Sequence, residues 1–220
     1  MINSLQNKAY KQILEDILKL KYVPAQRITE KELLASLNIG RTPVREAILR
    51  LRNEGLLDVI PQSGTYVSKI DLHAALTARF VRQNLEKAVV RECAVLASAR
   101  DVLWLKQALS HQQEAANLHD SNLFFELDDD FHKKFYLITD KAIAWKWLQS
   151  MNVQLARFRR LRVMKTTLPW RLLIQQHTNI AEAIAAHDED RAEHLVDEHL
   201  NLMLNEQKVL LDEFPDYFIH

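Results

Sequence analysis

All three glycines of the 220-residue chain, Gly40, Gly55 and Gly64, fall inside one 25-residue window. Glycine supplies tight turns and positive φ at no steric cost, so sharp backbone reversals are confined to that window. The 156 residues after Gly64 contain none, which suits long helices with short polar connections. Nearly half of the chain, 48%, is apolar, enough to build a core in each of two domains. The expected fold is mainly α, with a small N-terminal domain over residues 1–70 and an all-α bundle over 71–220.

The net charge of zero hides an asymmetry. Residues 1–70 carry 11 Lys and Arg against 7 Asp and Glu, and residues 71–220 carry 18 against 22. A basic first part and an acidic second part suggest separate tasks. Cys93 is the sole cysteine, so a disulfide framework and a cysteine metal knuckle are excluded and a reducing compartment is expected. No apolar run approaches the roughly 20 residues that span a bilayer, and the first residues lack a signal-peptide core. The expected location is the cytoplasm, with no membrane partner.

In the first domain, Leu5, Tyr10, Leu14, Ile17 and Leu18 recur at near-helical spacing. Glu30–Leu37 reads as a second helix, with Thr29 as its N-cap. Asn38-Ile39-Gly40 is a tight turn. Thr42 is placed to cap a third helix, with Pro43 at its first position, where a missing N–H costs nothing. Val59-Ile60 and Thr65-Tyr66-Val67 flank Pro61-Gln62-Ser63-Gly64, the pattern of a β-hairpin. The order helix, helix, turn, helix, hairpin describes a winged helix-turn-helix.

The third helix carries four arginines. Val44, Ala47, Ile48 and Leu51 form its anchoring stripe, while Arg45 and Arg52 lie roughly 90° away, with Arg41 at the same edge. Such an edge fits the DNA major groove, where arginine bonds guanine O6 and N7. Arg41 and Arg45 open the helix and are the expected base readers. Arg52 sits two turns deeper, where backbone phosphate is the better partner. Arg50 points away and reads as structural or solvated.

After Ile70 helices are expected near 71–98, 101–118, 121–138, 141–163, 169–187 and 189–213, with Asp101, Ser121, Asp140 and Asp188 near starts that favour caps. Asp128 and His132 are four apart and share a helix face with Phe125 and Phe135. His177 lies in line with Ile180, Ala181 and Ile184, and His199 with Leu195, Val196 and Met203. Three imidazoles and a carboxylate on apolar faces suit Zn²⁺ or a similar divalent ion, Ni, Mn or Fe. Each histidine alone reads more often as a satisfied core residue than as a ligand. His73, His111, His119, His187, His194 and His220 read as surface or terminal. Arg82, one turn before Glu86, either pairs with that glutamate or holds a ligand carboxylate. The run Arg157, Arg159, Arg160 and Arg162 is expected to be largely solvated or paired with acids, with room for one to turn inward.

The run R-T-P-V-R-E-A with E-G-L-L and a P-x-x-G-x-x-V wing resembles the DNA-binding domain of the GntR family of bacterial regulators. N-L-E-K-A-V at 84–89, D-x-x-F-H at 128–132, H-x-x-I-x-x-A-I at 177–184 and H-L at 199–200 resemble the FCD ligand-binding domain of its FadR-type subfamily. The resemblance implies that Arg41 and Arg45 reach base edges, that Thr42 touches phosphate, and that the wing near Gly64 enters the minor groove. Lys31 stands where the family usually has arginine, and keeps the charge without the fork, so it suits phosphate. Gly40 stands where Ser or Thr is common. The resemblance further implies that Asp128, His132, His177 and His199 bind a metal facing a cavity for a small organic acid.

The expected function is therefore a transcription regulator, a repressor, binding a pseudo-palindromic double-stranded operator as a homodimer, because one short helix reads too few base pairs. Two other classes fit parts of the sequence: a metal-dependent hydrolase-like enzyme, and an architectural DNA-binding protein with a structural metal.

Overall fold

The computed structural model describes residues 2–164 and 169–219. The chain divides into two compact units, residues 1–72 with 211–220, and residues 73–210. His220 lies outside the described residues.

In the first unit, α1 (Ile2–Leu18) buries Ala9, Ile13 and Ile17. Strand β1 (Arg27–Ile28) leads into α2 (Glu30–Leu37), where Thr29 closes a capping box: its hydroxyl accepts from the Glu32 amide at 3.2 Å, and the Glu32 carboxylate accepts from the Thr29 amide at 2.8 Å. Thr29→Ala is expected to cost the first unit about 1 kcal/mol, readable as a lower urea midpoint in far-UV circular dichroism. Asn38, at φ 50°, ends α2 in the left-handed region.

Helix α3 (Arg41–Asn53) starts two residues earlier than Thr42 permits as a cap. Gly40 is its N-cap and makes no side-chain capping bond, and Thr42 lies inside the first turn. Pro43 is still harmless there, because first-turn amides have no intrahelical acceptor. Val44, Ala47 and Leu51 are fully buried, whereas Ile48 is only half-buried.

The hairpin is β2 (Leu57–Ile60) and β3 (Gly64–Val67), antiparallel, with Ile60 opposite Gly64 and Leu57 opposite Val67. β1 adds to β3 as a third strand, giving the order β1-β3-β2. Gly64 is favoured by its φ of 143°; a Cβ there would stand 2.8 Å from Nε of the flexible Arg27 side chain, which would have to shift. A short strand β4 (Ile70–Asp71) pairs in parallel with β5 (Phe218–Ile219), which follows a 3-10 turn at Pro215–Tyr217. Through this pairing Leu211–Ile219 join the first unit, whereas the sequence places the bundle over residues 71–220.

The described residues then form α4 (Leu72–Leu96), α5 (Ala99–Asn117), α6 (Ser121–Ile138), α7 (Ala142–Met151), α8 (Val153–Met164), α9 (Trp170–Ala185) and α10 (Glu189–Glu213). Caps fix several starts. Ser98 and Asp101 form a capping box on α5, so Asp101 acts from inside the first turn. Asp120, not Ser121, caps α6. Asp140 lies at φ 55° and does not cap α7, whose N-cap is Lys141. The expected helix 141–163 is broken at Asn152 into α7 and α8.

α4 and α10 run antiparallel. Gln83 donates to Asp197 at 2.7 Å, Lys87 pairs with Asp197 at 3.2 Å, and Arg91 reaches Glu193 at 3.0 Å, so partners descend α10 as α4 rises. The main core joins Val89, Val90, Phe131, Phe135, Ile184 and Val196. A second cluster holds Phe124, Phe125, Val163, Leu173 and Ile174, with Trp170 stacked on Phe124 at 4.7 Å.

Candidate metal centre and DNA-reading edge

Helices α6, α9 and α10 bring Asp128, His132, His177 and His199 to one point in the bundle. One ligand atom from each lies within 4.8 Å of all the others, and all four residues are buried. A divalent ion about 2.0–2.2 Å from each donor requires mutual spacings of this order.

The outer nitrogens decide how the rings are oriented. His132 Nδ1 lies 2.7 Å from Glu86 Oε2, His177 Nδ1 2.9 Å from Gln112 Oε1, and His199 Nδ1 2.9 Å from Gln176 Oε1. A carboxylate or an amide oxygen only accepts, so each Nδ1 carries the proton and each Nε2 turns a lone pair inward. His177 Nε2 then faces His199 Nε2 at 3.3 Å, with Asp128 Oδ1 3.5 Å away, and His132 Nε2 has no hydrogen-bond partner among the described residues. Opposed lone pairs beside a carboxylate repel one another unless a cation lies between them. The donor set therefore fits a divalent ion.

The electrostatics agree. Burial pushes the His177 imidazolium down to about 3 and His199 well below its usual value, against the pull of Asp128. Both rings are neutral near pH 7, the form a metal requires. Burial opposes ionisation of Asp128, but the Arg159 guanidinium and the three imidazoles overcome it and hold the carboxyl below its normal range. Burial likewise opposes Glu86, yet Arg82 and His132 bring it down to about 2.

Arg82 is 1% exposed. Its Nε donates to Glu86 Oε1 at 2.7 Å, so the glutamate pairing is present. Its Nη2 has no acceptor among the described residues, and the side chain lines a cavity of about 60 Å³ that also touches Asp128 and His199. Arg159 lines the same cavity, pairs with Asp128, and donates to Asp129 at 2.9 Å. Arg162 is buried there too and paired with an acid, one of the two outcomes expected for the run; it grips Glu206 through Nε at 2.7 Å and Nη2 at 3.0 Å. Arg157 and Arg160 are buried as well, Arg160 lying over the Phe125 ring at 4.1 Å. His73, His111, His119, His187 and His194 are exposed.

Sequence reasoning missed Glu86, Gln112 and Gln176 as ring-orienting partners. Gln112 left a readable trace: it is a polar residue in line with Leu105, Ala108 and Ala115 on the buried face of α5. Gln176 left none beyond its place beside His177.

In the first unit, Arg41, Thr42, Arg45 and Arg52 are exposed on α3, Lys31 is exposed on α2, and Gly64 opens β3. Arg41 Nε and Arg45 Nε converge on the two oxygens of Glu30, at 3.1 and 2.8 Å. Arg50 behaves differently: it stacks 3.6 Å over the Tyr10 ring and bonds Glu54 at 3.0 Å, and Tyr10 also donates to Glu54 at 2.7 Å. Arg50 is thus a strut between α1 and α3. Among the described residues Arg52 Nη2 reaches Asn53 Oδ1, at 3.3 Å.

Residues 5–67 match the model of the bacterial regulatory proteins of the gntR family, and residues 78–202 match the FCD domain. The chain belongs to the GntR family, in its FCD-bearing branch. It is 30% identical over 214 residues to the HTH-type transcriptional repressor RspR of Escherichia coli, covering 97% of this chain and 93% of that protein. It is 28% identical over 180 residues to the Nta operon transcriptional regulator of Aminobacter aminovorans, covering 80% and 82%. Among solved structures, E. coli McbR/YncC matches with a TM-score of 0.76 at 20% identity, over 96% of this chain and 98% of that one. This GntR protein is accordingly a DNA-binding transcriptional regulator of the repressor type, not an enzyme. No described helix is long and apolar enough to cross a membrane.

Proposed function

We propose that this regulator holds a divalent ion on Asp128, His132, His177 and His199, and that a small organic acid bound in the adjoining cavity sets its affinity for a pseudo-palindromic operator. The observation that carries the reading is the pair of inward Nε2 lone pairs, 3.3 Å apart, next to a cavity lined by arginines. Zinc suits the three nitrogens and one oxygen, as do nickel, manganese and iron. The ion would act as a Lewis acid that attracts a carboxylate. The protein's part is to fix three imidazoles through Glu86, Gln112 and Gln176, and to supply Arg82 and Arg159 at the cavity wall.

The chain acts as a homodimer in this reading, since two-fold related α3 helices meet two half-sites. Arg41 and Arg45 read bases after exchanging Glu30 for guanine edges, while Lys31, Thr42 and Arg52 hold phosphates and the wing at Gly64 follows the minor groove. An acid that binds one of two states more tightly shifts their balance, and a coupling of about 1–3 kcal/mol is sufficient for regulation.

Two measurements test this. DNA selected from a randomised pool by the full-length protein is titrated with and without a panel of small acids on zinc-loaded protein. Affinity should change by about 5- to 150-fold with at least one acid; no change with any acid would leave an architectural protein with a structural metal. On the selected site, Arg45→Ala should lose about 1–3 kcal/mol of discrimination at one base pair per half-site. Equal weakening on all sequences would make Arg45 a phosphate contact.

A further inference from the structure

The cavity beside the metal centre has a second charged end. Arg162 and Glu206 line it, and Glu206 is seven residues beyond His199 on α10. Two helical turns place that pair about 10 Å along the helix from the metal layer. Arg79 lines the cavity one turn before Arg82 on α4 and donates to Asn201 on α10 at 3.0 Å, between the levels of His199 and Glu206. Phe125, Leu155, Phe158, Leu173, Leu202 and Met203 supply the apolar wall.

The donors at this second end are not used up. Arg162 is 6% exposed, its Nε and Nη2 are held by Glu206, and its Nη1 has no acceptor among the described residues. Arg79 spends Nη1 on Gln83 and Asn201, and its Nε is buried without an acceptor. A buried guanidinium N–H without a partner costs free energy, so an anion that reaches both is favoured there. Charge points the same way. The cavity wall carries Arg79, Arg82, Arg159 and Arg162 against two carboxylates, Asp128 and Glu206. A divalent ion at the histidines would add two further positive charges.

We propose that the effector is a short dicarboxylate that spans the cavity, with one carboxylate at the metal layer beside Arg82 and Arg159 and the other on Arg79 and Arg162. This rests on the reading of the cavity as an effector site. The cavity is small and suits a compact acid. Glu206 has both oxygens on Arg162, which leaves the second end cationic in character and unsuited to an ammonium group.

The test uses the full-length, zinc-loaded protein and isothermal titration calorimetry. Dicarboxylates from succinate to adipate are each compared with the monoacid of equal carbon count, butyrate to hexanoate, and with the matching ω-amino acid. One dicarboxylate should bind at least about tenfold tighter than both counterparts, the effect of one added charge-assisted contact. Arg79→Gln should remove most of that preference, weakening dicarboxylate binding far more than monoacid binding. The double variant Arg162→Met/Glu206→Met replaces the buried pair with apolar side chains of similar bulk, a change that buried pairs tolerate, and should abolish the preference. If no dicarboxylate outbinds its monoacid, or an ω-amino acid binds best, the two-ended site is overturned while the acid-binding reading survives. If no acid of any kind binds and operator affinity is indifferent to them all, both fall.

Discussion

Glu86→Ala is expected to lower the unfolding free energy of the metal-free bundle by about 3–5 kcal/mol. Glu86 is fully buried and accepts from both Arg82 Nε and His132 Nδ1 at 2.7 Å. Its removal leaves a guanidinium at 1% exposure without its carboxylate, and an imidazole proton without an acceptor. Breaking one side of a buried pair costs far more than the pair contributes as a whole. The four tryptophans, Trp104, Trp145, Trp147 and Trp170, all lie within residues 73–210, so urea unfolding followed by tryptophan fluorescence reports this unit alone. A loss below about 1 kcal/mol, the scale of an exposed pair, would show that Arg82 finds another partner. The same variant frees the His132 ring to turn, so metal affinity should also fall by about 10- to 100-fold.

Chelation is expected to have an effect of similar size. A ligand present at about a thousand times its dissociation constant stabilises the folded state by about 4 kcal/mol, which for a unit of this size corresponds to about 10 °C in midpoint. Dialysis of the full-length protein against a strong chelator should therefore lower the tryptophan-detected melting transition by about that amount, and equimolar zinc should restore it. The physical cause is the set of inward lone pairs: with no cation between them, His177 and His199 oppose each other at 3.3 Å. A transition indifferent to both chelator and zinc would argue that these rings are satisfied in another way.

What could be read in the sequence follows from the reach of local periodicity. Helices α6 and α10 begin and end at Ser121, Ile138, Glu189 and Glu213, where the spacing of apolar residues and the polar starts placed them. The break at Asn152 was invisible because Trp145, Leu148, Leu155 and Phe158 keep helical spacing across it, with no glycine or proline to mark it. β1, β4 and β5 are two residues each, too short for an alternating pattern, and β4 meets β5 only through a contact across nearly 150 positions.

The metal candidates were legible as polar residues on apolar faces, and the fold brings those four together. Which supports they meet was not legible: Gln112 showed as a polar residue on the buried face of α5, but Gln112 and Glu86 on α4 reach their histidines only in three dimensions. The arginines of α8 misled for a related reason. A charge-rich run reads as solvated or paired with acids; Arg159 and Arg162 do pair with acids, but Arg157, Arg160 and Arg162 are buried, Arg162 on Glu206 and Arg160 on the Phe125 ring, both supplied by other helices. Glu206 carried the missing signal, two turns from His199 on the same buried face.

The central claim is that this regulator's second unit is built around a bound divalent ion. Full-length protein purified without added metal or chelator, and analysed by inductively coupled plasma mass spectrometry, tests it most directly. The account predicts close to one divalent ion per chain in the wild type and a marked loss in His177→Ala, with circular dichroism showing that the variant remains helical. Metal-free wild-type protein that also fails to take up zinc, nickel, manganese or iron on titration, or an unchanged ion content in His177→Ala, would contradict it.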